Sequence, residues 1–182
     1  MFAPIAVISI ENLHVMKTMI IYMPTHGCTE QVVQELADKL NGEIIIQNLK
    51  ENKNPDFQDY DRVIIGGSIH AGQIQRKVRD FCEANLEKLG QKEIGLFICC
   101  MYEGGQAFQQ LNNAFPEKLH QYTKSEAILG GEFNFEKMNL IEKLVIKKIA
   151  KIDQSISKID HNAIENFAKK MDRTFSPFML LI

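Results

Sequence analysis

Hydroxyl, imidazole and thiol side chains are concentrated in one short segment near the start of the chain. Residues 23–29 read MPTHGCT and separate the apolar run 19–22 from a stretch, ending at Leu40, whose apolar residues recur at helical spacing. The start of a helix presents free backbone N–H groups and a positive dipole end, which together bind phosphate. Gly27 can adopt a positive φ and lets the main chain approach an oxyanion. Thr29 can either cap the helix or turn its hydroxyl towards a phosphate.

The same segment also fits an ordinary strand–turn–helix corner, and the loop on its own favours neither interpretation. Two familiar phosphate motifs are excluded, however. The chain has no Gly-Lys-Ser or Gly-Lys-Thr, which a nucleoside triphosphate loop requires, and Gly27 stands alone where a dinucleotide fold needs three glycines. Residues 23–29 contain no Lys or Arg. A phosphate bound here is therefore better matched by a mononucleotide cofactor than by a triphosphate.

Apolar runs of strand length alternate with amphipathic stretches along the chain, which is typical of a parallel sheet covered by helices on both faces. We find no internal repeat and no domain-scale linker. Ligands of such folds bind at the carboxyl ends of the strands. Strands are predicted at 19–22, 43–47, 62–66, 94–100 and 127–133. Helices are predicted at 29–40, 75–89, 106–113, 138–152 and 161–171.

Four segments resemble the flavodoxin superfamily, in the correct order along the chain. YMPTHGCTE at 22–30 is similar to its phosphate loop, and the segments 61–81, 94–111 and 127–149 are similar to its menaquinone-dependent protoporphyrinogen IX dehydrogenase branch. The resemblance implies an α/β fold with a flavodoxin-like, doubly wound, five-stranded parallel sheet in the order 2-1-3-4-5 and helices on both faces. It also implies non-covalent binding of FMN. The flavin would carry the chemistry, so that no side chain is an essential acid, base or nucleophile and no metal is expected.

The resemblance further implies that three loops surround the flavin. The first holds the phosphate, the second lies against the ring and presents N–H groups near its reactive nitrogen, and the third supplies an aromatic side chain. The implied FMN-binding residues are Pro24, Thr25, His26, Gly27, Cys28 and Thr29 in the first loop, Gly67, Ser68, Ile69, His70, Ala71 and Gly72 in the second, and Cys100, Met101, Tyr102, Glu103 and Gly104 in the third.

Several positions in the phosphate loop depart from the family pattern. Met23 and Pro24 replace small hydroxyl residues, which leaves Thr25 and Thr29 as the hydroxyl donors, beside backbone N–H groups of the loop. His26 either donates a charge-assisted hydrogen bond to the phosphate or merely flanks the loop in solvent. The departures at the front of the loop predict weaker FMN binding than in tight-binding relatives.

Three further positions carry alternative interpretations. Cys28 lies near a helix N-terminus, which can lower a thiol pKa, but we favour a small loop residue that contributes its N–H. Relatives can carry Arg-Tyr where this chain has His70-Ala71, so we expect substrate recognition to differ there. Tyr102 is the best aromatic residue for stacking on the ring, since the chain has no Trp, and a partly exposed loop tyrosine is an equal alternative.

The composition fits one domain with a sizeable core and excludes some function classes. The chain has 182 residues, 21 basic and 23 acidic, and a net charge of −2, so no global field attracts nucleic acid. This charge is also milder than the acidic surface expected of carrier flavodoxins. The four cysteines show neither metal-ligand spacing nor a disulfide framework, which favours reduced structural thiols and a cytoplasmic protein. Cys99 and Cys100 should face opposite sides of one strand.

The two ends of the chain and one internal helix complete the predicted organisation. We expect residues 1–15 to be an extension of doubtful origin, 16–175 to be the FMN-binding domain and 176–182 to be an apolar tail. The extension has no Lys or Arg, and its apolar run is too short to span a bilayer. Lys137–Lys151 predicts an amphipathic basic helix. We favour its packing on the sheet, with lysines reaching solvent, over peripheral contact with the inner face of the cell membrane.

These features predict an FMN-binding oxidoreductase that passes electrons from a reduced substrate to a quinone. Protoporphyrinogen IX as the substrate and menaquinone as the acceptor, in haem biosynthesis, follow from the resemblance alone. One alternative is a flavodoxin-type electron carrier for a partner reductase. Another is a sensing or interaction module that has lost its flavin, which Met23 and Pro24 keep open.

Overall fold

The computed structural model describes residues 14–150 and 154–173. Within them the strands are β1 (Lys17–Met23), β2 (Glu43–Asn48), β3 (Arg62–His70), β4 (Gln73–Ile74), β5 (Glu93–Cys99), β6 (Thr123–Ile128), β7 (Glu132–Phe133) and β8 (Ile156–Ser157). The helices are α1 (Cys28–Lys39), α2 (Arg76–Ala84), α3 (Leu86–Leu89), α4 (Gly104–Ala114), α5 (Glu117–His120), α6 (Leu140–Ala150) and α7 (His161–Asp172).

The central sheet has its long strands in the order β2-β1-β3-β5-β6, and each neighbouring pair is parallel. β4 pairs antiparallel with the end of β3, and β7 pairs with β8 in a separate two-stranded sheet. The parallel strands therefore follow the predicted 2-1-3-4-5 order, which is confirmed. Because β1, β3 and β5 are neighbours, their carboxyl ends meet at one edge, where such folds bind ligands.

Helices cover both faces of the sheet, as predicted. Side chains of successive strand residues point to opposite faces. In β3, Ile64 packs in the core formed with α1 and α7, whereas Val63 and Ile65 pack in the core formed with α2 and α4. Cys99 and Cys100 also lie in opposite cores, which confirms their predicted orientation.

The fifth parallel strand lies earlier in the chain than predicted. We expected it at 127–133, but β6 spans Thr123–Ile128, and the chain then bends at Gly130, whose φ is 76°. β6 is an edge strand, and its first four residues read Thr-Lys-Ser-Glu, so its polarity concealed it in the sequence. The last two residues of the predicted strand, Glu132 and Phe133, form β7 instead.

The strand before the second loop is longer than predicted, and the turn after it is a tight hairpin. β3 continues past Gly66 to His70, so that residues 67–69 belong to a strand rather than a loop. Ala71 and Gly72 then turn the chain into β4 with φ angles of 50° and 81°. Two central residues of positive φ are typical of a type I′ turn, whose twist suits a two-residue hairpin.

The predicted helix at 75–89 is divided into two. Its break falls at Asn85, whose side-chain Nδ2 donates to the carbonyl oxygen of Phe81 at 2.9 Å. An Asn side chain that bonds to the backbone of the preceding turn competes with continuation of the helix. Helices α4 and α7 lie within two residues of their predicted bounds, and both predictions are confirmed.

Helix α6 does not pack as we favoured. Leu140, Ile141 and Leu144 are 78%, 74% and 68% exposed, so these side chains do not cover the sheet. Lys147 and Lys148 are exposed farther along the same helix. In the described part of the chain, no helix has both the length and the hydropathy that crossing a bilayer requires. Residues 1–13 of the predicted extension and the predicted tail at 176–182 lie outside the described residues.

Candidate functional site

The first loop ends at a helix N-terminus with free main-chain donors. Gly27 precedes α1 with a φ of 96°, which confirms the expected positive φ, and no side chain caps the helix there. The first main-chain bond of the helix runs from the Gln31 N–H to the Gly27 carbonyl oxygen at 3.1 Å. The N–H groups before Gln31 therefore have no partner inside the helix and can donate to an anion.

Thr29 adds a buried hydroxyl to these donors. It is the second residue of α1 rather than its N-cap, so the capping alternative is excluded. The residue is 1% exposed, and its Oγ1 lies beside the Cys99 thiol without a partner of hydrogen-bond geometry in the described structure. A buried hydroxyl without a partner costs about 1–3 kcal/mol, which an oxyanion at the helix N-terminus would offset.

A cation reaches the same loop from a distant part of the chain. A Cβ atom placed on Gly27 would lie only 2.5 Å from the Nζ of Lys137. The Lys137 ammonium therefore lies directly over the phosphate loop, which has no Lys or Arg of its own. Sequence reasoning missed this contact, because nothing in the local pattern links the β7–α6 segment to residues 23–29.

Gln75 joins the first two loops. Its Nε2 lies 3.0 Å from the Met23 carbonyl oxygen, 2.9 Å from the Thr25 Oγ1 and 2.8 Å from the Ser68 Oγ. Gly67 leaves room for this side chain, since a Cβ there would lie 2.4 Å from the Gln75 Oε1. Gln75 thus fixes the phosphate loop relative to the end of β3. Its role was also missed, because a polar residue before a helix carries no distinctive signal.

A cavity of about 250 Å³ opens at the carboxyl ends of the central strands. Four parts of the chain line it: the phosphate loop, the β3–β4 hairpin, the end of β5, and the segment from Gly131 to Ile141. Its lining residues are His26, Cys28, Thr29, Ser68, Ile69, His70, Ala71, Cys99, Cys100, Met101, Gly131, Glu132, Phe133, Met138 and Ile141.

Nine of the residues predicted to bind the cofactor are in that lining, and eight are not. Those outside the lining are Pro24, Thr25, Gly27, Gly67, Gly72, Tyr102, Glu103 and Gly104. Tyr102 is 46% exposed, and Glu103 forms an ion pair with Lys158 at 2.7 Å. Among the described Phe and Tyr residues, Phe133 is the one that lines the cavity, and the sequence pattern predicted a strand there. Binding of FMN by the predicted residues stays a prediction.

Two histidines face each other at the cavity. The ring centroids of His26 and His70 are 5.9 Å apart, with the rings inclined by 56°. The Nε2 of His70 lies 3.0 Å from the Ser68 Oγ. The first and second loops are thus in contact through these rings as well as through Gln75.

The cavity is also lined by three of the four cysteines, all of which are free and buried. Cys28 and Cys99 interact directly, and hydrogen bonding from Cys99 lowers the pKa of the Cys28 thiol. The same pairing, together with burial, raises the pKa of Cys99. Burial raises the pKa of Cys100. Cys28 is therefore a core residue with a distinctive thiol, rather than only a small loop residue.

No group of three or more His, Cys, Asp or Glu side chains in the described residues is arranged to hold a metal ion. The arrangement offers hydrogen-bond donors and a cation at the N-terminus of α1, and apolar side chains in the cavity lining. It is suited to an elongated molecule with a phosphoryl group and an apolar part.

Comparison with known proteins identifies relatives of the whole fold. The chain is 22% identical over 172 residues to the protoporphyrinogen IX dehydrogenase [quinone] of Escherichia coli K12, covering 86% of this chain and 94% of that protein. The structure of oxidised flavodoxin 1 from Bacillus cereus superposes with a TM-score of 0.53 at 17% identity, covering 88% of this chain and 99% of that one. A Fusobacterium nucleatum flavodoxin variant bound to flavin mononucleotide has a TM-score of 0.50 at 11% identity, covering 86% and 95%.

The family assignment follows from a match that is longer than any single loop. The flavodoxin domain family model matches residues 19–160, which extend from β1 through β8. With this match and the strand order of the sheet, the chain belongs to the flavodoxin domain family.

Proposed function

We propose that the cavity binds FMN and that the chain is an FMN-dependent oxidoreductase. The observation that carries the proposal is the N-terminus of α1, where free N–H groups, the buried Thr29 hydroxyl and the Lys137 ammonium are donors suited to one phosphoryl group. The related Fusobacterium nucleatum structure contains flavin mononucleotide, which supports this choice of ligand. When bound, the flavin supplies hydride and electron transfer.

The residues of the chain bind and orient the cofactor in this proposal. Gln75 holds the loops on either side of the cavity at a fixed separation. The hairpin at Ala71 and Gly72 offers backbone N–H groups for the flavin ring, and Phe133 helps to exclude water. The Glu132 Oε2 is buried and has no hydrogen-bond partner in the described structure, so it is an acceptor suited to a hydroxyl of the ribityl chain.

The finer proposal is that the substrate is protoporphyrinogen IX and the acceptor a quinone such as menaquinone. It is supported by the 22% identity to the Escherichia coli dehydrogenase over nearly its whole length. It is also supported by the exposed face of α6. Ile141 both lines the cavity and is 74% exposed, which places an apolar surface at the mouth of the site.

This surface is suited to peripheral contact with an anionic membrane, from which a quinone could be reached. Leu140 and Leu144 extend the apolar surface, and Lys147 and Lys148 supply positive charge on the same helix. An interfacial amphipathic helix combines these two properties. The proposed location is therefore the cytoplasmic face of the cell membrane.

Two measurements on the purified full chain test the proposal. Titration with FMN, followed by quenching of flavin fluorescence, is expected to show saturable binding, and a colourless protein with no affinity would exclude a flavoprotein. Anaerobic incubation of the FMN-loaded protein with protoporphyrinogen IX and a menaquinone analogue is expected to yield protoporphyrin IX. Binding of FMN without this turnover, together with electron transfer from a flavodoxin reductase, would replace the dehydrogenase with the carrier alternative.

A further inference from the structure

We propose that Lys137 recognises the flavin phosphate and that this contact couples cofactor binding to the position of the cavity wall, defined as residues 131–141. The inference rests on the proposed function, because it takes the bound molecule to be a phosphorylated flavin. It assigns a specificity role to a residue outside the loops that the sequence predicted. The ligand selected by this contact is FMN rather than riboflavin, which has the same ring but no phosphate.

The position of the Lys137 side chain provides the first step. Its Nζ would lie 2.5 Å, and its Cδ and Cε 3.6 Å, from a Cβ at Gly27. The ammonium therefore occupies the space that a side chain at Gly27 would fill. It lies over the turn from which the free N–H groups of α1 begin. A phosphoryl group held by those N–H groups would be within reach of the ammonium.

The charges around the loop provide the second step. Glu30 lies in the first turn of α1, and Glu132 lines the cavity. A phosphate monoester carries a charge of about −1.5 to −2 at neutral pH, so both carboxylates would repel it. Lys137 is a cation at the loop that offsets this repulsion, and hydrogen bonds between charged groups are about twice as strong as neutral ones.

The backbone around Lys137 holds it in place. Its N–H donates to the Asn134 carbonyl oxygen at 3.1 Å, in a tight turn. The N–H of Phe135 donates to the Ser155 Oγ at 3.0 Å, which ties this turn to the chain before β8. The ammonium thus extends on a four-carbon stem from a hydrogen-bonded turn, so that a contact made by the ammonium also restrains the turn.

The start of the cavity wall is also attached to the sheet. The Cys100 N–H donates to the Gly130 carbonyl oxygen at 2.7 Å, and a Cβ at Gly131 would lie 2.7 Å from the Cys100 carbonyl. Lys137 lies between Phe133 and Met138, which both line the cavity. A phosphate that attracts Lys137 would therefore add a second restraint on the wall, beyond the attachment at its start, and by linkage a well-placed wall would strengthen phosphate binding.

Dissociation constants for FMN and riboflavin test the recognition step. Lys137→Gln is expected to weaken FMN binding about tenfold or more, because a charge-assisted contact is lost. Its riboflavin affinity is expected to stay within about twofold of wild type, since that ligand lacks the phosphate. Lys118→Gln, which removes an exposed lysine of α5, is the matched control and should leave both constants unchanged. Far-ultraviolet circular dichroism checks that each variant is folded.

Hydrogen exchange tests the coupling step without any measurement of activity. In the wild type, FMN is expected to slow amide exchange in peptides covering 131–141, and riboflavin is expected to slow it less. In Lys137→Gln, the two flavins should give the same exchange in these peptides at equal saturation. Exchange in β2, which lies at the far edge of the sheet, serves as the internal reference.

The outcomes separate this inference from the proposed function. A wild-type protein that binds neither flavin would overturn the proposed function and the inference with it. If the wild type binds FMN but Lys137→Gln has the same ratio of FMN to riboflavin affinity as the wild type, the inference alone is overturned. An equal loss in Lys118→Gln would also overturn it, because the effect would then come from the general charge of the protein. If Lys137→Gln reduces FMN affinity but leaves amide hydrogen exchange at 131–141 as in the wild type, the proposed coupling is wrong.

Discussion

At the scale of single residues, the Cys28 thiol differs from the other three. Hydrogen bonding from Cys99 lowers the pKa of Cys28, whereas burial contributes to a raised pKa for Cys82, Cys99 and Cys100. Thiolates, not thiols, react with alkylating agents. As the pH rises, Cys28 is therefore the first of the four to become reactive, through the cavity that it lines.

We predict that iodoacetamide labels Cys28 before the other cysteines in the flavin-free protein. The labelling rate should rise with pH and level off at a lower pH than for an ordinary thiol, because the pKa is lowered. Peptide mass spectrometry over a series of pH values measures this. Cys99→Ala removes the hydrogen bond and should move the midpoint to higher pH. FMN should slow the labelling, and earlier labelling of Cys82 or Cys100 would contradict the assignment.

At the scale of elements, the connection from β6 to α7 is more than a short loop, because it contains the segment from β7 to β8. It lies between β6 and α7, provides one wall of the cavity, and carries an exposed apolar face on α6. Large exposed apolar side chains gathered on one helix indicate a surface that meets another phase or molecule. The segment therefore combines a part that faces the cofactor site with a part that faces outward.

We predict that the double substitution Leu140→Ser and Leu144→Ser weakens binding to vesicles of anionic phospholipid by about tenfold or more, since burying a leucine contributes about 1.5–3 kcal/mol. Folding should be unaffected, because both side chains are exposed. Co-sedimentation with vesicles measures the binding. Phe108→Ser, an exposed apolar residue of α4, is the control and should not change it. Equal binding of all variants would exclude α6 as the contact surface.

At the scale of the whole molecule, a charged network joins the sheet to α7 at the end opposite the cavity. The Arg62 guanidinium is 2% exposed, and it bonds to Glu93 at 2.7 Å, to Asp172 at 2.8 Å and to the Met171 carbonyl oxygen at 2.6 Å. Lys124 completes the network through Glu93 at 2.8 Å. The network therefore holds β3, β5, β6 and the end of α7 together.

We predict that Arg62→Met lowers the free energy of unfolding by about 3–5 kcal/mol, because it leaves the partly buried Asp172 carboxylate without its ion-pair partner and Glu93 with Lys124 alone. Urea denaturation measures this. Arg76→Ala is the control, since its ion pair with Asp80 is exposed and should contribute less than about 1 kcal/mol. FMN affinity of the folded variant should be unchanged, because Arg62 starts β3 and the cavity lies at the strand's other end. A loss of stability as small as that of Arg76→Ala would contradict the stabilising role of the buried Arg62 network.

Much of the architecture could be predicted because its signals are local. The apolar runs of β1, β3 and β5 are buried on both faces and stand out in the sequence. The edge strand β6 was predicted too late in the chain, since four of its six residues are polar and only the sheet decides which side of it is covered. The break at Asn85 escaped prediction for a similar reason, because one side-chain bond outweighed a helical pattern.

The sequence by itself determined the family and, through its resemblance, the strand order. It also located the loop proposed to bind phosphate, since a strand, a glycine turn and a helix follow one another directly in the chain. Only the tertiary structure decided what surrounds that loop. Three contacts join residues that are far apart in the chain: Lys137 over Gly27, Gln75 between two loops, and Cys28 with Cys99. Such contacts depend on how elements pack, and no local periodicity records them.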